Sequence, residues 1–389
     1  MSLPEYLQKQ IAPETRYFRV PGDVVLESGE VLREVDIAFR TWGDPANAAE
    51  HAILICHALT GSADVEAWWP NIIGEGRAFD PARDYIVCAN ILGSCYGTTG
   101  PVSLVPGTNT RYRADFPRIS VRDMVELERI LLDELGVACI ELVTGPSLGA
   151  MQALEWAVMY PERVGSIVPI GVGGRHSAWC IGISEAQRAA IATDPHWNGG
   201  YYSDDATPDA GLAAARMMAI CTYRSWQSFD ERFGRECRDD GRFQVQSYLQ
   251  HQGEKINERF DANTYVTLTH AMHTHDLARG RGDYDEVLAT ITQAALVVSV
   301  SSDALYPPEE QRYLAAHLPN AQYEILDCPH GHDGFLIETE SLGAMIAEFR
   351  AGQQAASRLR IVNSGNELSL IHISEPTRPI LVSRMPSSA

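Results

Sequence analysis

The chain has 389 residues, 45% of them hydrophobic and 21% charged, and its 51 acidic against 31 basic residues give a formal net charge of −20. This acidic balance weighs against a nucleic-acid-binding protein, which needs a basic footprint, and against docking to anionic lipid. No apolar run approaches the roughly 18 residues that span a membrane, and the first residues lack the charged-then-apolar layout of a secretory signal.

Short strands are predicted for the first third of the chain, because β-branched and aromatic runs alternate there with Gly and Pro. These strands are Tyr17–Pro21, Asp23–Glu27, Val35–Trp42, Ala52–Leu59 and Tyr85–Leu92. The last two are apolar without alternation, which is typical of central parallel strands that are covered on both faces. Next come a helix, a strand, a helix and a strand, at Val121–Gly136, Cys139–Thr144, Leu148–Tyr160 and Ser166–Ile170. This alternation predicts an α/β fold around a mostly parallel sheet.

The pattern changes between residues 173 and 290, where helical periodicity dominates and no convincing strand occurs. The helices predicted there are Ser184–Thr193, Ala210–Arg224 and Phe243–Glu258. Strands resume at Ala294–Val300 and Gln322–Leu326, with helices at Pro308–His317 and Leu336–Ala351. We therefore predict a core in two parts, residues 1–172 and 291–352, interrupted by a helical cap at 173–290.

Residues 353–389 are predicted to lie outside this fold. Their sequence has the period of neither a helix nor a strand, and the stretch SLIHISEPTRP resembles a translated sequencing adapter. We expect this tail to be foreign to the natural protein, with a genuine disordered tail as the alternative.

The cysteines and histidines do not predict a metal site. The eight cysteines are scattered without a Cys-x-x-Cys pair, and many lie in apolar runs, which predicts buried free thiols in a reducing cytoplasm. His270, His273 and His275 have the spacing H-x-x-H-x-H, but no paired thiolates or acids lie near them in the sequence. We predict neither a metal nor a permanently bound cofactor.

The sequence Gly145-Pro146-Ser147-Leu148-Gly149 predicts a nucleophilic serine. The Gly-x-Ser-x-Gly pattern alone is weak, but here it follows an apolar strand and opens a helical run, which is the setting that a nucleophile elbow requires. The glycines allow a sharp turn that exposes the serine oxygen, and the helix N-terminus behind it favours developing negative charge. The alternative is a serine in an ordinary strand-to-helix turn.

A serine hydroxyl needs a base, and the base needs a carboxylate that orients it. In this type of fold the order along the chain is serine, acid, histidine, so Asp303 after one strand and His332 after the next fit the pattern. His330 is the rival base, and Asp327 and Asp333 are the rival acids. Asp333, next to the base, is better placed to face a substrate.

Acyl transfer also needs two hydrogen-bond donors for an oxyanion. We expect one to be the backbone N–H of Leu148, directly after the nucleophile. The other should come from the loop His57–Gly61 after an early strand, with Leu59 as the favoured residue.

Several longer segments resemble the homoserine O-acetyltransferase family. In chain order they are HALTGSA, CANILGSCYGTTGP, GPSLGAMQALEW, RHSAWCIGISEAQR, the run from Ala215 that includes TYRS, HQGEKINERFDANTY and GHDGFL. The resemblance covers residues 15–350. It implies an α/β-hydrolase fold with an inserted helical cap, and transfer of an acetyl group from acetyl-CoA to the hydroxyl of L-homoserine, on the way to methionine.

The family pattern implies roles for the matching residues. The implied catalytic triad is Ser147, Asp303 and His332. Arg216 and Tyr223 would hold the carboxylate of the amino acid, Asp333 would hold its amino or hydroxyl group, and Thr60 would line the pocket. Without the resemblance, Arg216 on its apolar helical face could equally pair with an internal acid or await an anionic ligand, and Tyr223 would be assigned to the core.

Leu305 bears on the identity of the acyl donor. Succinyl-transferring members of the family have an arginine two positions after the triad aspartate, whereas Leu305 offers a succinyl carboxylate no partner. The resemblance therefore favours acetyl, and the retained HALTG segment favours homoserine over serine as the acceptor. Pro146 and Ala150 stand where the family commonly has glycine, and these departures bear on the shape of the acyl pocket.

We predict a ping-pong acyltransferase whose acetyl-serine intermediate is shielded from water by the cap. The alternatives are a homoserine O-succinyltransferase or serine O-acyltransferase of the same family, a serine hydrolase on the same fold, and a non-catalytic binding protein that has kept the scaffold. The resemblance also implies a homodimer formed through the cap helices, with L-homoserine and acetyl-CoA as its small-molecule partners.

Overall fold

A computed structural model describes residues 3–365, with side chains described as far as residue 355. The chain up to Phe349 forms one compact unit, and a second unit begins at Arg350. Between residues 3 and 365, no helix combines the length and the apolar character that crossing a membrane requires.

The strands and helices of residues 3–365 follow the predicted order. The strands are β1 (Arg16–Arg19), β2 (Val24–Val25), β3 (Val31–Leu32), β4 (Asp36–Trp42), β5 (Ala52–Ile55), β6 (Tyr85–Ala89), β7 (Ile140–Pro146), β8 (Val164–Ile170), β9 (Ala294–Val300) and β10 (Ala321–Leu326). The helices are α1 (Glu5–Gln8), α2 (Ala48–His51), α3 (Val65–Trp68), α4 (Val121–Glu134), α5 (Leu148–Met159), α6 (Ala178–Ala192), α7 (Asp209–Tyr223), α8 (Trp226–Phe233), α9 (Gln244–Asn257), α10 (Ala262–Met272), α11 (Tyr284–Ala289), α12 (Pro308–His317), α13 (Gly334–Ile337) and α14 (Thr339–Gly365). Single 3-10 turns lie at Pro45–Asn47, Arg113–Asp115, Asn198–Gly200 and Gly331–Asp333.

The main sheet has the strand order β1-β4-β6-β5-β7-β8-β9-β10. All neighbours from β6 to β10 are parallel, whereas β4 runs antiparallel to both β1 and β6. The predicted α/β fold with a mostly parallel sheet is confirmed. The antiparallel edge is not visible in the sequence, because short strands show no sign of their direction.

Apolar residues cover both faces of this sheet. Strands β5 and β6 are buried along their whole length. On β5, Leu54 points into a core cluster that includes α4 and α5, and Ile53 and Ile55 point into another that includes α3 and the start of α14. Because helices cover both faces, the strands are apolar without alternation.

Serine caps set the starts of several helices. At α4, the Ser120 hydroxyl accepts the N–H of Asp123 at 3.2 Å, and the Asp123 carboxylate accepts the N–H of Ser120 at 2.7 Å. This reciprocal capping box satisfies two backbone donors that a helix start leaves open.

The first hairpin differs from the prediction. Asp23–Glu27 is not one strand, since only Val24–Val25 pairs, with Val31–Leu32, in a separate two-stranded sheet. The chain reverses at Gly29, whose φ of +86° is the left-handed conformation that glycine adopts easily.

Two predicted strands, Ala52–Leu59 and Tyr85–Leu92, are shorter than predicted. They end at Ile55 and Ala89, because the chain turns there into loops at the sheet edge.

Residues between β8 and β9 contain α6 to α11, and no strand occurs in this described stretch. The prediction omits α8, α10 and α11, which begin at side-chain caps on Ser225, Asp261 and Asp283. These caps, rather than a long apolar period, mark the helices. Residues 173–290 belong to the same compact unit as the core, and the boundaries between core and cap remain a prediction.

The last helix is longer than predicted. Helix α14 continues to Gly365, so the expectation that no helix follows Ala351 is wrong as far as residue 365. Gln, Ala and Arg each occur twice between residues 352 and 365 and have high helix propensity, which supports a helix without an amphipathic period. Residues 366–389 of the predicted foreign tail lie outside the described residues.

The cysteines are free, but three of them are not buried as predicted. The buried ones are Cys56, Cys88, Cys95, Cys180 and Cys328, and the exposed ones are Cys139, Cys221 and Cys237. The exposed thiols lie just before β7, on the outer side of α7 and in the loop before α9, where no apolar layer covers the chain.

Candidate active site

Ser147 lies where β7 ends and α5 begins. Its backbone has φ +56° and ψ −120°, a conformation that residues other than glycine rarely adopt. Its N–H donates to the carbonyl of Ile170 on β8 at 2.9 Å, which anchors the turn to the sheet. Backbone strain of this kind is typical of functional sites. The backbone thus has the conformation of the predicted nucleophile elbow.

Gly145 and Gly149 let this elbow approach β5. A Cβ on Gly145 would lie 2.1 Å from the carbonyl oxygen of Cys56, and a Cβ on Gly149 would lie 2.0 Å from the same atom. No side chain tolerates either distance, and the obstacle is backbone that cannot rotate away. Close packing against Cys56 therefore requires both glycines, in addition to the sharp turn itself.

Asp303 and His332 are hydrogen bonded to each other, as their order along the chain predicts. Asp303 follows β9, His332 follows β10, and both side chains are buried. Nδ1 of His332 lies 2.6 Å from Oδ2 of Asp303. The other carboxylate oxygen accepts the backbone N–H groups of Leu305 at 2.8 Å and Tyr306 at 2.9 Å. The carboxylate is held firmly and can therefore orient the imidazole.

The rival base and one rival acid have partners elsewhere. Nε2 of His330 lies 3.4 Å from a carboxylate oxygen of Glu338. Asp327 accepts a hydrogen bond from the Ser301 hydroxyl at 2.8 Å. The geometry therefore favours the hydrogen-bonded pair over these alternatives.

The second ring nitrogen of His332, Nε2, is available for a hydrogen bond. Nε2 is buried and makes no hydrogen bond with any described residue. The ring lies beside the elbow, because a Cβ on Gly171, directly after the Ile170 carbonyl that binds Ser147, would be 3.4 Å from Cε1 of His332. A free Nε2 near a serine hydroxyl can accept its proton, and such contacts often tighten only when substrate binds. The arrangement can support acyl transfer to an alcohol or hydrolysis of an ester.

Two backbone N–H groups beside the elbow are available to an oxyanion. Leu148 is the first residue of α5, so its N–H has no acceptor within the helix. Leu59 is buried in the loop after β5, and no described residue accepts its N–H. Both groups are uncommitted, as an oxyanion hole requires.

His57 supports the loop that carries Leu59, a role that sequence reasoning missed. Its Nε2 accepts the N–H of Ile91 at 3.2 Å, and its Nδ1 lies 2.8 Å from the carbonyl oxygen of Ala58. Burial lowers the pKa of His57 to about 4, so the ring is neutral and can accept one hydrogen bond while donating the other. In the sequence, the sign of this supporting role is a histidine that closely follows a strand predicted to be buried.

Arg216 and Asp333 bring opposite charges to the neighbourhood of His332. Nη1 of Arg216 is buried without a hydrogen-bond partner among the described residues, which favours an awaited anion over an internal ion pair. The guanidinium of Arg216 lies 5.6 Å from the ring centre of Tyr223, which is 5.9 Å from the ring of His332. Asp333 lies 3.2 Å from Nε of Arg224. Burial raises the pKa of Asp333, and the two arginines oppose that rise.

Sequence reasoning missed Arg224 as the partner of Asp333. An arginine after a helix gives no sign that its partner lies far along the chain. Thr60 follows Leu59 in its loop, and its carbonyl accepts Nη1 of Arg259 at 2.9 Å. Contact between the Thr60 side chain and a substrate stays a prediction.

A narrow cavity of about 20 Å³, which has room for about one water molecule, borders the site. Its wall includes Leu59, Tyr223, Leu305 and Tyr306. Leu305 is buried there, so the position two residues after Asp303 gives this wall an apolar side chain and no charge.

Two of the three clustered histidines, His273 and His275, lie within hydrogen-bonding distance of groups that are not metal ligands. Nε2 of His275 lies 2.9 Å from the carbonyl oxygen of Gly173, and Nε2 of His273 lies 3.4 Å from Nη1 of Arg188. In the described part of the chain, no group of three His, Cys, Asp or Glu side chains is arranged to hold a metal ion.

Known proteins resemble this chain over most of its length. Residues 51–338 match a family model described as alpha/beta hydrolase fold. A protein named homoserine O-acetyltransferase from Nostoc punctiforme is 55% identical over 343 residues, which cover 87% of this chain and 96% of that protein. A protein of the same name from Chlorobaculum tepidum is 52% identical over 340 residues, again covering 87% of this chain and 96% of that protein.

Solved structures share the fold. The crystal structure of esterase E22 has a TM-score of 0.80 and 26% identity, and the match covers 87% of this chain and 99% of that chain. The structure of homoserine O-acetyltransferase from Bacillus anthracis also has a TM-score of 0.80, at 22% identity, with 86% of this chain and 97% of that chain covered. The second likeness bears on the fold alone. The fold by itself does not decide between water and an alcohol as acceptor.

Proposed function

This chain belongs to the homoserine O-acetyltransferase family of the α/β-hydrolase fold, and we propose that it transfers the acetyl group of acetyl-CoA to the hydroxyl of L-homoserine, on the way to methionine. The observation that carries the chemistry is the 2.6 Å hydrogen bond between Asp303 and His332, whose Nε2 is left open beside the elbow serine. Acetyl-CoA serves as a co-substrate, and no permanently bound cofactor takes part.

The first half-reaction forms an acetyl-enzyme. Nε2 of His332 takes the proton of the Ser147 hydroxyl as its oxygen attacks the thioester carbon, and Asp303 stabilises the resulting imidazolium. The N–H groups of Leu59 and Leu148 bind the oxyanion of the tetrahedral intermediate. When this intermediate collapses, the carbon–sulfur bond breaks, and CoA leaves as a thiol with the proton from His332.

The second half-reaction transfers the acetyl group to homoserine. Its hydroxyl gives a proton to Nε2 of His332 while its oxygen attacks the acetyl carbon. Collapse of the second tetrahedral intermediate breaks the bond to Ser147, whose oxygen takes the proton back from His332. Water must be kept out of this step, and the helices of residues 173–290 are the proposed barrier.

Charged groups beside the triad are proposed to hold homoserine. The uncommitted Nη1 of Arg216 suits the substrate carboxylate, because a charge-assisted hydrogen bond satisfies both groups. Tyr223 lies between Arg216 and His332 and orients the bound amino acid. Asp333 binds its amino or hydroxyl group, and Thr60 lines the pocket.

Leu305 supports acetyl rather than succinyl as the transferred group. A succinyl carboxylate would have to be desolvated next to this buried leucine without a countercharge, which costs several kcal/mol. A small acetyl group has no such requirement.

Rapid mixing with acetyl-CoA alone tests the mechanism. We expect a burst of free CoA equal to the enzyme concentration, and no comparable burst with succinyl-CoA. Homoserine added afterwards should yield acetylhomoserine, and serine in its place should react far more slowly. Ser147→Ala should abolish the burst while keeping the melting temperature. A rate law that requires both substrates to be bound together would contradict the ping-pong order.

Hydrolysis is the second candidate, because esterase E22 shares the fold at 26% identity. The same experiment separates the two reactions through the ratio of products. Acetylhomoserine should exceed free acetate by a large factor at saturating homoserine. Excess acetate would identify a hydrolase instead.

We also propose that the protein acts in the cytoplasm as a homodimer formed through the helices of residues 173–290. Large apolar side chains are exposed on these helices, among them Trp226 at 80% and Trp179 at 54%. Apolar exposure on this scale is typical of a surface that another protein covers.

A further inference from the structure

The turn that carries Leu59 has one contact to which the proposed mechanism gives no role. Residues 58–61 form a β-turn, in which the N–H of Gly61 donates to the carbonyl of Ala58 at 2.9 Å. Leu59 occupies the second position of this turn and Thr60 the third. The closing hydrogen bond of a β-turn uses only its first and fourth residues. The N–H of Leu59 therefore stays available to an oxyanion as long as the turn keeps its orientation.

The loop after β6 holds both flanks of this turn. On one side, Nε2 of His57 accepts the N–H of Ile91 at 3.2 Å. On the other side, the N–H of Ala63 donates to the side-chain oxygen of Asn90 at 2.8 Å. The two flanks are thus fixed to neighbouring residues of one loop, but neither contact holds the carbonyl of Thr60 at the tip of the turn.

Arg259 binds that tip from the helical segment between β8 and β9. It lies in the connection between α9 and α10, and its Nη1 donates to the carbonyl oxygen of Thr60 at 2.9 Å and to the hydroxyl oxygen of Tyr96 at 3.2 Å. The Tyr96 hydroxyl donates to the backbone carbonyl of Arg259 at 2.7 Å. Tyr96 thus fixes both the backbone and the side chain of Arg259 next to the turn.

The charge of Arg259 is not neutralised by these partners. Its side chain is half-buried, and it forms no ion pair with any described residue. Burial raises the pKa of Tyr96, and the charge of Arg259 opposes that rise, so the hydroxyl keeps its proton at neutral pH. A charged donor makes a stronger hydrogen bond than a neutral one. The contact between Arg259 and the carbonyl of Thr60 is therefore strong enough to orient the turn.

We propose that Arg259 is a positioning residue for the oxyanion hole. By binding the carbonyl of Thr60, it keeps the N–H of Leu59 directed at the developing oxyanion in both half-reactions. The inference rests on the proposed function, because that function assigns the oxyanion to the N–H groups of Leu59 and Leu148. In this role Arg259 touches neither the acyl donor nor homoserine. The helical segment between β8 and β9 then contributes to the chemical steps in addition to excluding water.

Arg259→Leu tests this role in the two half-reactions separately. Release of CoA from acetyl-CoA reports acetylation of Ser147, and discharge of the isolated acetyl-enzyme by homoserine reports the second step. A misplacement of about 1 Å can cost a factor of about 100, so we expect both rate constants at saturation to fall about 10- to 100-fold. The concentrations of acetyl-CoA and homoserine that give half-saturation should change little, because no substrate contact is lost.

Two further variants sharpen this comparison. Arg259→Lys keeps a charged donor and should recover part of both rates. Lys255→Leu removes an exposed cation from the last turn of α9 and is the matched control, which should leave both rates unaltered.

A loss confined to one half-reaction, with a raised half-saturating concentration, would overturn the proposal and make Arg259 a substrate-binding residue. Unchanged rates in both half-reactions would overturn it too, as would a loss that Arg259→Lys leaves uncorrected. If Arg259→Leu fails to fold, as judged from its thermal melt, Tyr96→Phe replaces it. Loss of the Tyr96 hydroxyl releases Arg259 and must slow both half-reactions in the same way.

Failure of the proposed function is separable from failure of this inference. Unmodified protein that releases no CoA from acetyl-CoA would contradict the function. Release of nitrophenolate from p-nitrophenyl acetate would then report the same attack by Ser147, and the Arg259 variants would be compared on that reaction. A protein inert toward both esters would contradict both proposals.

Discussion

Asp303 accepts three hydrogen bonds while Nε2 of His332 makes none among the described residues. The proposed catalytic acid is thus fixed before substrate arrives, and the proposed base keeps one nitrogen available for the transferred proton. The same contrast applies to Arg216, whose Nη1 is buried and uncommitted. Buried polar atoms without a hydrogen-bond partner indicate where a ligand binds, because leaving them unpaired in the complex as well would cost free energy.

Arg216→Leu should weaken homoserine binding selectively. A charge-assisted hydrogen bond contributes about 1.5–3 kcal/mol, so we expect kcat/KM for homoserine to fall about 10- to 100-fold, mostly through KM. The burst of CoA from acetyl-CoA should fall far less, because that half-reaction does not use the carboxylate. Steady-state and burst kinetics on one preparation measure both effects.

Arg238→Leu is the control for this substitution, because Arg238 is an exposed cation in the loop between α8 and α9. It changes the net charge equally and should leave KM for homoserine unaltered. An equal loss of burst and turnover in Arg216→Leu would show that the arginine supports the fold and does not bind the acceptor.

At the scale of the elements, the sequence predicts best those whose signal is local. Strand β9 and helix α12 have the predicted bounds, because one is a bounded apolar run and the other opens with two prolines. The elbow is likewise a local motif within a recognisable strand and helix. Helices α8 and α10 have only capping residues to mark them and were missed.

Contacts between distant parts of the chain could not be predicted in this way. The order of serine, acid and histidine selected the Asp303–His332 pair, but nothing in the sequence shows that Arg224 lies against Asp333 or that Tyr306 reaches His176. These contacts depend on how loops from different strands meet at the sheet edge.

Gly149→Ala tests the packing of α5 against β5. The added Cβ would lie 2.0 Å from the Cys56 carbonyl oxygen, so the elbow must shift. Overpacking of this kind typically costs about 1–3 kcal/mol, and we expect a lower free energy of unfolding in denaturant titrations together with a severe loss of the CoA burst.

Gly182→Ala provides the opposite case within α6. Outside the backbone of its own helix, no atom lies within 4 Å of its added Cβ, so the higher helix propensity of alanine should stabilise the protein by up to about 1 kcal/mol. Similar effects of the two substitutions would mean that the approach to Cys56 does not constrain the elbow.

At the scale of the whole molecule, buried groups make stability depend on pH. Burial lowers the pKa of His57 to about 4 and, with its charged neighbours, that of His176 to about 3. The unfolded chain therefore binds more protons below pH 6.5, and the free energy of unfolding falls on acidification.

Glu128 on α4 accepts the indole N–H of Trp156 at 2.7 Å, and burial raises the pKa of Glu128 to about 7. Its contribution has the opposite sign, because the folded protein holds that proton between pH 7 and 4.5.

The two effects can be separated with Glu128→Gln. At about 1.4 kcal/mol per pKa unit, His57 and His176 together should lower the free energy of unfolding of this variant by about 4 kcal/mol between pH 7 and pH 5. His270, whose pKa burial lowers to about 4, adds to this fall. In the unmodified protein the Glu128 carboxyl group should offset about 2 kcal/mol of that loss. Denaturant titrations at both pH values measure the difference, and parallel pH profiles would refute the offset.

The short loop from Asp303 to Tyr306 has a consequence for how such an enzyme can diverge. Within four successive positions it contains the proposed triad acid, the leucine proposed to select the acyl group and the tyrosine that contacts His176, and Asp303 binds the backbone of both others. A substitution that alters donor preference should also disturb the geometry of the proposed proton transfer. The effects of substitutions at Asp303, Leu305 and Tyr306 on acyl-donor specificity should therefore be epistatic. A substitution at one of these positions should be tolerated only together with a compensating substitution at another.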